Sequence, residues 1–254
     1  MKFATIFLTF SLVPSACFAM GGLQSPSVTH PRLEPSVEGK LDKRVADFRT
    51  SGRTLMATVV DIAYEFQVPL GIEYVDRDAS TRPIDLQFQN QSLRSIFRAV
   101  VAQLPEYQVA FLGETVQIYS PRARADSSNL LNKVLKDFSV IAVDTGTAGI
   151  ELTCALARQL TAGGSCGGST PNGQWGPLKL TIHMQNAKVY EILNAIVAQN
   201  GRAVWTITVP PNELSKTSVA NLWHIYSLDR PFREVVLDKL TTESLMQNAQ
   251  EKTP

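Results

Sequence analysis

Charge of one sign is nearly absent from this sequence: 24 Lys and Arg against 23 Asp and Glu leave a formal net charge of +1. With no basic field to attract phosphates, nucleic acid is excluded as a partner and anionic lipid has nothing to steer it. Histidine is also scarce, at three residues. His30 lies in a Pro-rich stretch, His183 on the polar side of the alternating segment "LKLTIHM", and His224 between Trp223 and Ile225. None has the neighbours that a catalytic base or a metal site needs. S-x-x-K pairs and H-E-x-x-H helices are missing. "GGSCGGST" is glycine-rich but lacks the Lys-Ser/Thr that a phosphate-binding loop places at its helix start. No cofactor is expected, and no apolar run approaches the roughly 20 residues a membrane-spanning helix requires.

What is present begins with a leader. Lys2, an apolar run from Phe3 to Val13, the break at Pro14 and the ending Cys17-Phe18-Ala19 form the pattern of a secretory signal, residues 1–19, cleaved after Ala19. Ser15-Ala16-Cys17 also resembles the end of a bacterial lipobox, which would make Cys17 a lipidated N-terminus, but Pro14 stands where an aliphatic residue belongs. Export predicts a periplasmic location. Removing the leader leaves Cys154 and Cys166, an even pair expected to form a disulfide that closes "CALARQLTAGGSC". Residues 20–40, rich in Pro, Ser and Gly, read as a flexible tether.

The remaining chain says one thing twice. Leu55, Val59, Ile62, Ala63 and Phe66 fall at helical spacing before Pro69, and Ile72 and Tyr74 then alternate as in a strand. "PIDLQFQ" puts Ile84, Leu86 and Phe88 on one face of a second strand, with Asn90 expected to cap the helix whose stripe is Leu93, Ile96, Phe97, Val100 and Val101. "YQVAFLGETVQIYSP" reads as a hairpin turning at Gly113-Glu114. A shift of 96 positions lays Leu180, Ile182 and Met184 on that strand, Asn186 on Asn90, and the helix "QNAKVYEILNAIVAQ" on "QNQSLRSIFRAVVAQ". Upstream, Asp137-Phe138 answers Asp47-Phe48 at a shift of 90, and the difference falls at "TAGGSCGGSTPNGQWG". Two α/β (α+β) modules are expected, at residues 41–122 and 133–211, each a small sandwich of helices on a short mixed sheet. A C-terminal extension follows at 212–254, where "ANLWHIYSL" reads as an edge strand and Pro231 opens a terminal helix.

The first copy resembles the secretin and TonB short N-terminal domain family. Leu55 through Tyr74 corresponds to the family's first helix and strand, and Leu86 through Ile118 to its second helix and closing strands. The chain departs from the family at Gln89-Asn90, where a Gly usually precedes the second helix. The resemblance implies a periplasmic protein-protein interaction fold without catalytic residues. It also implies another envelope protein as partner: a secretin, a TonB-dependent receptor or an inner-membrane component, with self-association as a further option.

Residues shared by the copies are those the fold must bury, so specificity is expected where they differ: at Lys188, Tyr190 and Asn194 on the second copy's helix, and in the Cys-bracketed loop with Trp175 at its exit. Two other readings stay open. A periplasmic hydrolase or other enzyme could assemble acids from Glu73, Asp76 and Asp78, although "EYVDRDAS" has the composition of a charged turn. A small-ligand or cell-wall glycan binder could use Trp175, Trp205 and Trp223.

Overall fold

The computed structural model describes residues 37–73, 82–113, 115–160, 166, 177–207 and 223–228, all within one unit of the chain. The leader, most of the tether, Trp175 and the terminal helix expected after Pro231 lie outside these residues. A short helix α1 (Val37–Leu41) occupies the end of the stretch expected to be a flexible tether, and the first copy continues with β1 (Arg44–Thr54), α2 (Leu55–Phe66), β2 (Leu70–Ile72), β3 (Pro83–Ser92), α3 (Leu93–Val101), β4 (Gln108–Leu112) and β5 (Thr115–Tyr119). A linker holds α4 (Pro121–Ala125) and a 3-10 turn at Leu130–Asn132. The second copy then runs β6 (Val134–Val143), α5 (Thr145–Leu160), β7 (Leu180–Lys188), α6 (Val189–Asn200) and β8 (Ala203–Thr206), and the C-terminal extension supplies β9 (His224–Ser227), an edge strand as expected.

Helical periodicity decides which residues are buried. Every stripe residue expected of α3 is buried, Leu93, Ile96, Phe97, Val100 and Val101, as is every one expected of α6, Val189, Ile192, Leu193, Ile196 and Val197. Thr54 Oγ1 accepts from the Ala57 N–H to start α2, and Asp144 Oδ1 accepts from the Thr147 N–H at the matching place in α5. These bonds satisfy donors that a helix leaves free at its first turn.

The duplication extends to backbone irregularities. β1 and β3 form an antiparallel ribbon whose register slips between Thr50 and Arg53. The ribbon of β6 and β7 slips between Val140 and Val143, the equivalent positions. Inside each slip one residue has a left-handed backbone, Gly52 at φ 64° and Ala142 at φ 52°. Asn90 and Asn186 are the other matched pair, at φ 51° and 50°. They do not cap the helices, contrary to the expectation from sequence. Ser92 Oγ caps α3 through the Ser95 N–H, and the Glu191 carboxylate receives the Lys188 N–H at the start of α6. Asn tolerates the left-handed region because its short amide bonds locally to the backbone, so both copies use it to twist the strand just before the helix.

The α/β class is as expected, but the copies share more than a linker. One sheet runs in the order β4-β5-β2-β8-β9, with β2 parallel to β5 of its own copy and parallel to β8 of the other. β4-β5 and β8-β9 are antiparallel pairs at its two sides. Alternate residues face opposite cores. Leu70, Ile72, Val116, Ile118, Val204 and Tyr226 pack with α2 and α3, while Ala203, Trp205 and Ile207 pack with α5 and α6. The order of layers is therefore ribbon, helix pair, shared sheet, helix pair, ribbon. β2, β5 and β8 are covered on both faces, as strands sandwiched between helices are. Cys154 of α5 is bonded to Cys166 with Cα atoms 5.1 Å apart, as expected. Closing the chain between cysteines 12 positions apart is worth about 3 kcal/mol in the chain-entropy picture.

Candidate functional site

The face of the shared sheet turned toward the second copy carries polar residues as well as apolar ones. Gly71, Glu73, Thr115 and Gln117 come from the first copy and meet Trp205 and Asn194 from the second. Gly71 is required there: a Cβ would stand 2.6 Å from the Trp205 indole. The indole Nε1–H donates to Asn194 Oδ1 at 2.8 Å, and Asn194 Nδ2 donates to Gln117 Oε1 at 3.0 Å. Gln117 Nε2 then donates to Glu73 Oε1 at 2.7 Å. Arg124, on α4, closes the series by donating through Nε and Nη2 to the same carboxylate oxygen. Thr115 Oγ1 adds a bond to the Asn194 carbonyl at 3.2 Å.

This set is buried, with Trp205 and Gln117 at 0%, Glu73 at 2% and Asn194 at 7% exposure. Burial raises the Glu73 pKa above its ordinary 4.5, and the charge of Arg124 and its hydrogen bonds pull the other way. The guanidinium of Arg124 lies between two tyrosines, 3.7 Å from the Tyr119 ring centroid and 4.6 Å from that of Tyr190. It therefore ties the first copy's sheet, the linker and the second copy's helix to one point. Burial, with Glu191 second, raises the Tyr190 pKa as well. Beside the network a cleft of about 270 Å³ opens between the turn of β4 and β5 and helix α6, lined by Leu112, Thr115, Tyr190, Glu191 and Ala195 among others.

Chemically the network joins the two copies through side-chain hydrogen bonds. The Glu73 carboxylate is neutralised by Arg124, and the other members are amides and an indole. Among the described residues no group of three or more His, Cys, Asp or Glu is placed to hold a metal ion.

Several candidates from the sequence fall elsewhere than expected. Asn194 is not a surface determinant: it faces inward and links the two copies, because α6 packs against the first copy's strand β5. Glu73 is not part of a solvated charged turn but the buried anchor of the network, while Asp76 and Asp78 lie outside the described residues. Trp205 and Trp223, at 0% and 7% exposure, have no free face for a sugar. Lys188 and Tyr190 remain half-buried at the surface, with Lys188 Nζ 5.6 Å from the Tyr190 ring centroid. His183 is on an exposed strand face, 3.8 Å from Asp137, as a solvated histidine would be. Gln117 and Arg124 are functional members that no sequence motif marks. Their signal in the sequence is slight, since a Gln between Val116 and Ile118 has the alternation of a strand with one wet face.

Comparison with family models, with curated proteins and with solved structures finds no match to the chain.

Proposed function

We propose that the protein is a non-catalytic interaction module of the bacterial cell envelope, exported to the periplasm, which binds another envelope protein through an exposed strand of its second copy. The observation that carries this reading is Ile141 on β6, exposed at 75% on a strand that pairs with β7 alone among the described residues. Val134, at the other end of β6, is exposed at 41%. The first copy has Ser51 and Arg44 at these two positions. An open strand edge is ordinarily guarded by charge, and a large β-branched side chain left on one favours strand addition by a partner. The resemblance of the first copy to the N-terminal domains of secretins and TonB-dependent receptors points to the same kind of role, in transport, secretion or signalling across the envelope.

Capture from crosslinked envelopes tests the proposal. The wild-type chain is expected to recover one protein partner, and Ile141→Arg to lose it while its thermal unfolding midpoint stays unchanged. Recovery of the same partner at full yield by Ile141→Arg would overturn the assignment of β6.

A further inference from the structure

The two ribbons are built alike but differ in what their open edges offer. Among the described residues β1, like β6, pairs with one strand only, so it is an edge at which a further strand can add. A groove of about 500 Å³ runs along β1 beside α2, with Phe48, Ile62 and Phe66 in its wall. On the outer face Asp47 and Arg49 stand two residues apart, 52% and 64% exposed, and meet each other at 3.1 Å. Between them Phe48 turns inward and packs against the first copy's core.

This spacing makes β1 complementary to itself. Two copies of the strand laid antiparallel about an axis through Phe48 set Asp47 opposite the partner's Arg49, Arg49 opposite the partner's Asp47, and Ala46 opposite the partner's Thr50. Residues directly opposite in an antiparallel pair lie on the same face with Cβ atoms about 5 Å apart, close enough for both ion pairs. A two-fold arrangement satisfies both edges at once, which is the requirement for a closed dimer. The other ribbon lacks this property: β6 has Asp137 where β1 has Asp47, but Ser139 where β1 has Arg49.

We propose that the protein forms a two-fold dimer with a second copy of itself, in which the β1 strands add edge to edge and convert two ribbons into one four-stranded sheet, β3-β1-β1-β3. The charges select the register. The dimer leaves β6 free, so it does not rest on the partner-binding reading above and stands or falls separately.

Sedimentation equilibrium on the purified full chain tests it. The wild-type chain sediments as a dimer; Asp47→Arg and Arg49→Asp each place like charges opposite one another and weaken the dimer about tenfold or more. The double exchange Asp47→Arg with Arg49→Asp restores the pairing and the dimer. Asp137→Arg, on the equivalent strand of the other ribbon, leaves it intact. Matching far-ultraviolet circular dichroism and melting midpoints across the set show that folding is unchanged, and these side chains are exposed enough for that to hold. A wild-type monomer, a dimer insensitive to either single exchange, or failure of the double exchange to restore it overturns the proposal.

Discussion

At Gly71 the backbone of the first copy lies flat against the indole of Trp205, and there is no room for one more carbon. Gly71→Ala is expected to lower the stability of the whole chain by about 1–3 kcal/mol, the usual cost of overpacking, measured as a drop in the urea midpoint. Glu73 carries a pH dependence whose sign follows from its raised pKa. The folded state holds the proton more tightly than the unfolded state, so this residue's contribution is most favourable below pH 4.5 and is lost as pH rises through the folded pKa. Relative to wild type, Glu73→Gln should flatten stability against pH over that interval. At neutral pH Arg124→Ala strands a buried carboxylate and should cost about 3 kcal/mol or more, with Glu73→Gln in the same chain recovering much of the loss. Urea titrations of the single and double variants across pH decide both points.

Among the elements, the ribbons show where evolution of the copies left slack. Both need a left-handed residue at the register slip, and only β1 has Gly52 there; β6 uses Ala142. An L-residue with a Cβ is strained in that region by about 1–2 kcal/mol, partly offset by the greater backbone freedom that glycine loses on folding. Ala142→Gly should therefore stabilise the protein by about 0.5–1 kcal/mol, and Gly52→Ala should destabilise it by a similar amount, both read from denaturation midpoints. Asn90 and Asn186 belong to the same class. Their sequence context, a polar residue just ahead of an apolar stripe, suits a cap equally well, and only the backbone angle separates a strand twist from a helix start. The stripe of α3 was fully legible because a helix repeats its buried positions every three or four residues whatever it packs against, whereas α2 also buries Thr58 and Val60 and leaves Phe66 half-buried, and α6 also buries Asn194.

For the whole molecule, the shared sheet changes what the two copies are. β2 is hydrogen-bonded to a strand of each copy, and its faces are covered by helices from both. Separating the copies would expose strands built to be dry on both sides and would break the Trp205–Asn194–Gln117–Glu73–Arg124 series in the middle. The described region is therefore expected to unfold as one cooperative unit. Urea transitions followed by tryptophan fluorescence, which reports chiefly on the second copy, and by far-ultraviolet circular dichroism should coincide. Two resolved transitions would show that the copies are independent after all.

The duplication, the helix stripes, the alternating strands and the cysteine pair were determined by sequence alone, because each depends on residues near one another in the chain or on a pattern that repeats. Which face of β5 is dry, what Glu73 pairs with, and whether Asn194 looks outward were decided only by tertiary structure. A period-two pattern records that a strand has two faces; it carries no record of what covers the second one. Here that cover is the other copy, whose Asn194 lies 77 positions from Gln117 along the chain, and it turns a Glu, a Gln and an Asn that read as surface into the joint between the two halves.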